Sequence, residues 1–174
     1  MSWYAIYVKV GYEDAFCHYT DKMKERVYLG IEYTLLVPKR RIFERRQGKW
    51  NEELKTMFPG YVLINTDYIL EFYLLARNSP YVIKFLKEDS FFLKVSEEEI
   101  TPIIKMINNS GVIATSRAII ENGRIRIIEG PLWGREDYIK KVDKRKGRAK
   151  VKFVIGERLV LIDVGIEFIA ETYL

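Results

Sequence analysis

The chain has 174 residues, 48% of them apolar and 30% charged, with one Cys, one His and a net charge of +5. That balance describes a globular chain of one large domain or two small ones, and it excludes intrinsic disorder. A lone Cys17 excludes an intrachain disulfide framework and a Cys-rich zinc site, and a sequence pI near 9.1 favours an anionic partner. No basic stretch precedes an apolar run near Met1 and no apolar run reaches bilayer length, so a cytoplasmic protein without membrane contact is expected.

Taken in order, Trp3–Val10 reads as a strand buried on both faces, broken by Gly11. Ala15, Phe16, Tyr19, Met23 and Val27 recur at three and four, which predicts a helix from Glu13 to Tyr28, ended by Gly30. Ile31–Val37 is a second strand, stopped by Pro38. Arg40–Arg46 is a third, with charges interleaved and Gln47-Gly48-Lys49 at a hairpin tip. Met57–Asn65 reads as a strand with Pro59 near its start, Ile69–Arg77 as a short helix closed by Asn78-Ser79-Pro80, and Tyr81–Leu86 as a strand. Ser96 with Glu99 forms a capping box before an apolar helix; Thr101 as N-cap, with Pro102 at the first helical position, is the alternative start. The resulting order, β-α-β-β-β-α-β-α, predicts an α+β fold: an antiparallel sheet with flanking helices.

Asn108-Asn109-Ser110-Gly111 marks the domain boundary. From Ala118 onward helical periodicity is gone. Runs at Arg124–Ile128, Tyr138–Val142, Ala149–Ile155 and Glu157–Val164 predict a small SH3-like β-barrel. The expected domains are thus residues 1–108 and 119–174, joined by a linker over 109–118.

Two basic stretches stand out. Lys39, Arg40, Arg41, Arg45, Arg46 and Lys49 crowd the first. Arg135, Lys140, Lys141, Lys144, Arg145, Lys146, Arg148, Lys150 and Lys152 crowd the second. Charge runs usually form solvated faces, but a tight turn at Lys144-Arg145-Lys146-Gly147-Arg148 would project its cations together, a thin prong suited to an RNA groove widened by a bulge or loop. Gly130-Pro131-Leu132-Trp133-Gly134 is a loop whose Trp133 packs inward or stacks on a base. Phe58-Pro59-Gly60-Tyr61 is either a strand start with two core aromatics or a corner presenting Phe58 and Tyr61. Arg77, Asn78 and Ser79 offer a guanidinium, an amide and a hydroxyl beside Tyr81, a set suited to extruded bases or simply to a helix stop. Catalytic, metal and cofactor residues are not expected: Cys17 and His18 are helix neighbours that do not face each other, Glu97-Glu98-Glu99 is a helix start, and there is no phosphate-binding glycine loop.

In this order the motifs resemble the NusG family of transcription elongation factors. Trp3-Tyr4, Val37-Pro38, Phe58-Pro59-Gly60-Tyr61-Val62 and Arg77-Asn78-Ser79-Pro80 are similar to its NGN domain, and the stretch through Gly130-Pro131-Leu132 to its KOW domain. The resemblance implies a non-enzymatic, monomeric factor without a cofactor. Trp3, Tyr4, Phe58, Pro59, Gly60 and Tyr61 would serve the clamp helices of RNA polymerase. Arg77, Asn78 and Ser79 would sit by the non-template DNA strand. Family members usually carry Gly-Asp where this chain has Gly123-Arg124, and a less basic prong. Those departures resemble the LoaP antiterminator paralogs, which implies recognition of an RNA hairpin in a transcript leader. Arg124, Trp133, Arg135, Lys140, Lys141, Lys144, Arg145, Lys146, Arg148 and Lys150 would then be the RNA-binding residues. The alternatives are a general factor whose KOW barrel binds Rho or a ribosomal protein, an enzyme acting on nucleic acid, and a fold-switching KOW domain like that of RfaH.

Overall fold

The computed structural model describes residues 1–27, 30–88, 90–155 and 158–169. The predicted helix end at Tyr28, the predicted strand start at Glu157 and the last five residues of the expected barrel, 170–174, lie outside the described residues. In chain order the elements are β1 (Ser2–Val8), α1 (Glu13–Val27), β2 (Tyr33–Leu36), β3 (Lys39–Arg46), β4 (Lys49–Thr56), β5 (Tyr61–Thr66), α2 (Ile69–Ala76), β6 (Val82–Phe85), β7 (Lys87–Glu88), β8 (Phe91–Phe92), β9 (Lys94–Val95), α3 (Glu97–Met106), β10 (Val112–Ile113), β11 (Ser116–Glu121), β12 (Arg124–Glu129), a short 3-10 turn (Glu136–Tyr138), β13 (Ile139–Asp143), β14 (Arg148–Ile155) and β15 (Arg158–Phe168). They divide into two compact units: Met1–Val37 with Phe58–Ile100, and Pro38–Met57 with Thr101–Leu174.

The first unit is an α+β sandwich. Its sheet runs β2-β5-β1-β6, antiparallel throughout, with β9 also pairing with β1. Alternation along β1 sends Tyr4, Ile6 and Val8 to the core and leaves Trp3, Ala5 and Tyr7 only partly covered, so this strand is not buried on both faces as its composition predicts. Antiparallel sheets commonly wet one face, and a fully apolar run conceals that. Ile6, Val8, Val62 and Ile64 meet Phe16 of α1 and Phe72, Leu75 and Ala76 of α2 in one core. Each such large side chain, fully buried, contributes roughly 1.5–3 kcal/mol. Glu13 and Asp14 in the first turn of α1, and Lys24 and Arg26 in its last, complement the helix dipole.

Phe58–Gly60 is a turn, and β5 starts at Tyr61 rather than Met57. The Tyr61 amide donates to the Phe58 carbonyl at 3.0 Å and Gly60 has φ +86°, the type II pattern that Pro-Gly at the two central positions favours. Helix α3 takes the capping-box start: Glu99 Oε2 accepts from the Ser96 amide at 2.8 Å and Ser96 Oγ from the Glu99 amide at 3.3 Å. Pro102 therefore lies inside the helix, not at its first position.

The second unit joins a ribbon to a barrel. β3 and β4 pair from Lys39↔Thr56 to Arg46↔Lys49, closed by Gln47 (φ 50°) and Gly48 (φ 82°) in the two-residue turn that matches strand twist. Sequence pattern missed β4, because Lys49–Thr56 carries no apolar alternation; a two-stranded ribbon wet on much of its surface does not require one. The five strands of the barrel run β12-β11-β15-β14-β13, with β11 and β15 parallel and the other pairs antiparallel. Ala118, Ile127, Leu132, Ala149, Val151, Phe153, Ile162, Val164 and Ile166 are buried.

The stretch 109–118 is structured rather than a plain tether. β10 pairs in parallel with β3 (Val112↔Lys39, Ile113↔Arg40), β11 begins at Ser116, and Val112, Ile113 and Ser116 are buried. Asn108 organises its entry, its side-chain oxygen accepting from the Ser110 and Val112 amides. β3 crosses β15 at Gly165, where an added Cβ would stand 2.7 Å from the Arg41 carbonyl oxygen.

Candidate functional site

In the first unit Trp3, Tyr7, Tyr61 and Leu63 share the sheet face opposite the helices, by the register Trp3↔Asn65, Ala5↔Leu63 and Tyr7↔Tyr61. The Tyr7 and Tyr61 rings pack with centroids 5.1 Å apart. Gly60 allows this: a Cβ there would stand 2.6 Å from the Tyr7 ring. Its amide donates to the buried Glu13 carboxylate at 2.6 Å, and its carbonyl accepts from the Val8 amide at 2.7 Å. The turn is thereby fixed from α1 and from β1, with Pro59 exposed at its apex and Phe58 partly buried. Tyr4 differs from the other residues expected here: it faces the core and is buried, so it supports the sheet from behind.

Arg77 and Asn78 are exposed after α2, with the Arg77 guanidinium 6.0 Å from the Tyr73 ring. Ser79 is buried. Its amide donates to the Ala76 carbonyl at 3.0 Å and its hydroxyl accepts from the Tyr81 amide at 3.3 Å. Of the two roles open to this hydroxyl, the helix stop is the one its hydrogen bond serves. Serine often serves its own backbone after a helix, which sequence alone does not separate from ligand binding.

The barrel brings the expected basic residues together only in part. Asp143 Oδ1 accepts from the Lys146 amide at 3.0 Å and Gly147 has φ +60°, so the chain reverses tightly and leaves Lys144, Arg145 and Lys146 exposed. Lys144 Nζ lies 5.8 Å from the Phe168 ring centroid. Arg148 does not project with them. Its guanidinium turns inward to Glu44 of β3 at 3.1 Å, the Phe43 carbonyl at 3.3 Å and Asp163 at 3.7 Å. Lys150 is exposed but pairs with Asp163 at 3.0 Å. Lys140 and Lys141 are exposed on β13, and Lys141, Lys146, Arg148 and Lys150 line a shallow depression with Asp143 and Asp163.

Arg124 is exposed at the mouth of the β11–β12 turn, which Asn122 (φ 51°) and Gly123 (φ 75°) close. Asn-Gly is a strong hairpin signal. Trp133 is 65% exposed, so it points outward. The loop carrying it is pinned by buried Leu132, whose amide donates to Ser116 Oγ at 3.0 Å, and by Arg135, which donates to the Pro131 and Trp133 carbonyls at 3.3 and 3.2 Å. Arg135, half-buried, thus braces the loop.

Carboxylates distant in sequence neutralise part of this surface. Glu44 gathers Lys55, Arg148 and Arg46. The hydrogen bond from Lys55, ahead of that from Arg148, holds its carboxyl below the usual range. Arg40 donates to the Asp163 carbonyl, and burial makes it a weaker base than an ordinary arginine. Arg40 Nε and Arg148 Nε are buried without a hydrogen-bond partner among the described residues. No group of three or more His, Cys, Asp or Glu suited to a metal ion occurs among the described residues, and no described helix is long and apolar enough to cross a membrane.

The chain comprises an α+β unit bearing an aromatic sheet face and a small barrel bearing a cationic turn. A family model described as transcription termination factor nusG matches residues 1–104, and the chain belongs to the NusG family. It is 26% identical to the transcription termination/antitermination protein NusG of Pseudomonas aeruginosa, over 93% of each chain. It is 28% identical to that of Buchnera aphidicola, over 93% of this chain and 91% of the relative. Among solved structures, one described as domain interaction in Thermotoga maritima NusG shares the fold with a TM-score of 0.53 and 22% identity, over 94% of this chain and 93% of that one.

Proposed function

We propose that this NusG-family factor is an antiterminator that binds RNA polymerase through residues 1–108 and an RNA hairpin in a transcript leader through residues 119–174, with 109–118 between them. In this reading it is most like the LoaP paralogs, acts as a cytoplasmic monomer and performs no catalysis. Trp3, Phe58, Pro59 and Tyr61, set by Gly60 and backed by Tyr4, meet the polymerase clamp helices. Arg77 and Asn78 lie toward the non-template DNA strand. Two modest affinities on one chain act at high effective concentration, so a recruited factor stays with the transcribing enzyme and opposes pausing and termination.

The observation that carries the RNA half of the proposal is the exposed trio Lys144, Arg145 and Lys146 on a turn held by Asp143 and Gly147, with Lys140 and Lys141 exposed on β13 and Trp133 exposed on its own loop. If about four of these cations pair with phosphates, log K falls against log salt with a slope of about −3 to −4. The test is a gel shift of a candidate leader hairpin against a scrambled hairpin, with and without Lys144→Ala, Arg145→Ala and Lys146→Ala. A preference for the leader hairpin that the triple variant abolishes is the expected result; equal binding of both hairpins overturns it.

A second reading has the barrel bind proteins such as Rho or a ribosomal protein. It is favoured by Val154, Leu159 and Leu161, apolar residues 46%, 59% and 46% exposed on β14 and β15. The same gel shift separates the two, since a protein-binding barrel shows no hairpin preference.

A further inference from the structure

We infer that the outer face of the β3–β4 ribbon is a second nucleic-acid contact, a stacking platform for a single strand centred on Trp50. This goes beyond the hairpin reading of the barrel and does not depend on it. The two faces of the ribbon differ sharply. By register, Arg40, Ile42, Glu44 and Arg46 lie opposite Lys55, Glu53, Asn51 and Lys49 on one face. That face is committed within the unit: Ile42 is 1% exposed, Arg40 donates to the Asp163 carbonyl, and Glu44 pairs with Arg148. The opposite face carries Arg41, Phe43 and Arg45 across from Leu54, Glu52 and Trp50.

On this outer face Trp50 is 53% and Leu54 52% exposed, and Arg41 and Arg45 are exposed as well. Trp50 pairs directly with Arg45 across the ladder, and Arg41 lies beside Leu54 two same-face rows away, beyond Phe43 and Glu52. Arg41 already meets Glu52 at 2.7 Å, which leaves Arg45 as the leading cation. An aromatic face next to guanidinium groups is the combination that holds a single strand: bases stack on the ring while cations track the phosphates, with little dependence on sequence. The charge on this face favours an anionic occupant. Trp50 keeps more than half of its surface exposed, which leaves ring surface open to a partner. The tight turn at Gln47 and Gly48 fixes the register that places Trp50 beside Arg45.

The test uses the full chain and three probes: a short oligouridylate, its deoxy counterpart and a duplex of the same length. In a Trp3→Phe, Trp133→Phe background, Trp50 is the remaining tryptophan of the chain's three. Its emission should be quenched on titration with either single strand and left unchanged by the duplex. Fluorescence anisotropy on the otherwise unaltered chain should show Trp50→Ala raising the single-strand Kd about tenfold, with Trp50→Phe retaining most of the affinity. Arg45→Ala should make the salt slope shallower by about 0.7. Whichever of the RNA and DNA strands binds tighter identifies the source of the natural strand. An unquenched Trp50 at saturation overturns the inference. So does a Trp50→Ala chain that binds single strands normally, including one that instead loses a protein partner. Binding of the leader hairpin is scored separately, so a factor that quenches Trp50 with single strands yet ignores the leader retains this inference and loses the hairpin reading.

Discussion

The Glu13 carboxylate and the Gly60 amide form a buried hydrogen bond of 2.6 Å between the first turn of α1 and the Pro-Gly corner before β5. It aims the corner that presents Phe58, Pro59 and Tyr61. Glu13→Ala should leave the amide unpaired and destabilise the protein by about 2 kcal/mol in urea unfolding. Glu13→Gln, which keeps an acceptor oxygen, should recover much of the loss. Polymerase binding should follow the same ranking.

Gly165 tells whether the approach of the ribbon to β15 is tight. A Cβ there would meet the Arg41 carbonyl oxygen at 2.7 Å and Thr115 Oγ1 at 2.8 Å, so Gly165→Ala should cost about 1–3 kcal/mol. Gly30→Ala is the control, because a Cβ there meets nothing within 4 Å. Thermal unfolding of the two variants should differ clearly; equal melting temperatures would refute the close crossing.

Glu44 gives the ribbon a pH dependence. Its folded carboxyl titrates below the ordinary range, chiefly through Lys55 and then Arg148. A lowered pKa means the stabilisation is complete above the unfolded-state value and disappears as pH falls through the folded one. The urea midpoint should therefore drop on acidification across and below the usual carboxylate range. Glu44→Gln should lower the midpoint at neutral pH and flatten that acid limb.

Lys146 and Arg148 lie two positions apart and should behave oppositely. Lys146 is exposed on the turn, whereas Arg148 is bound to Glu44, Phe43 and Asp163. Lys146→Ala should weaken RNA binding in a gel shift with an unchanged urea midpoint. Arg148→Ala should lower the midpoint, because Glu44 then loses one of its cations.

Local signals in the sequence read well. Ser96 with Glu99, the Gln47-Gly48 turn and the helical spacing through Phe16 are short-range devices, and each is found where its pattern places it. Long-range pairing was not legible. Arg148 and Glu44 are 104 residues apart, so a basic turn expected to project its cations together has one member turned inward. β4 was not legible because Lys49–Thr56 carries no apolar alternation. Ser79 stayed open between two roles because one hydroxyl serves a turn or a ligand equally well until its burial is known.

The pairing of Val112 and Ile113 with Lys39 and Arg40 has a practical side for anyone isolating pieces of this molecule. A fragment begun at residue 119 discards both the ribbon and the clip that holds it, leaving the groove beside Gly165 bare and Arg148 stripped of Glu44. A faithful miniature has to be spliced, with residues 38–57 grafted ahead of 101 onward, because the second body is assembled from two stretches that the ribosome makes far apart.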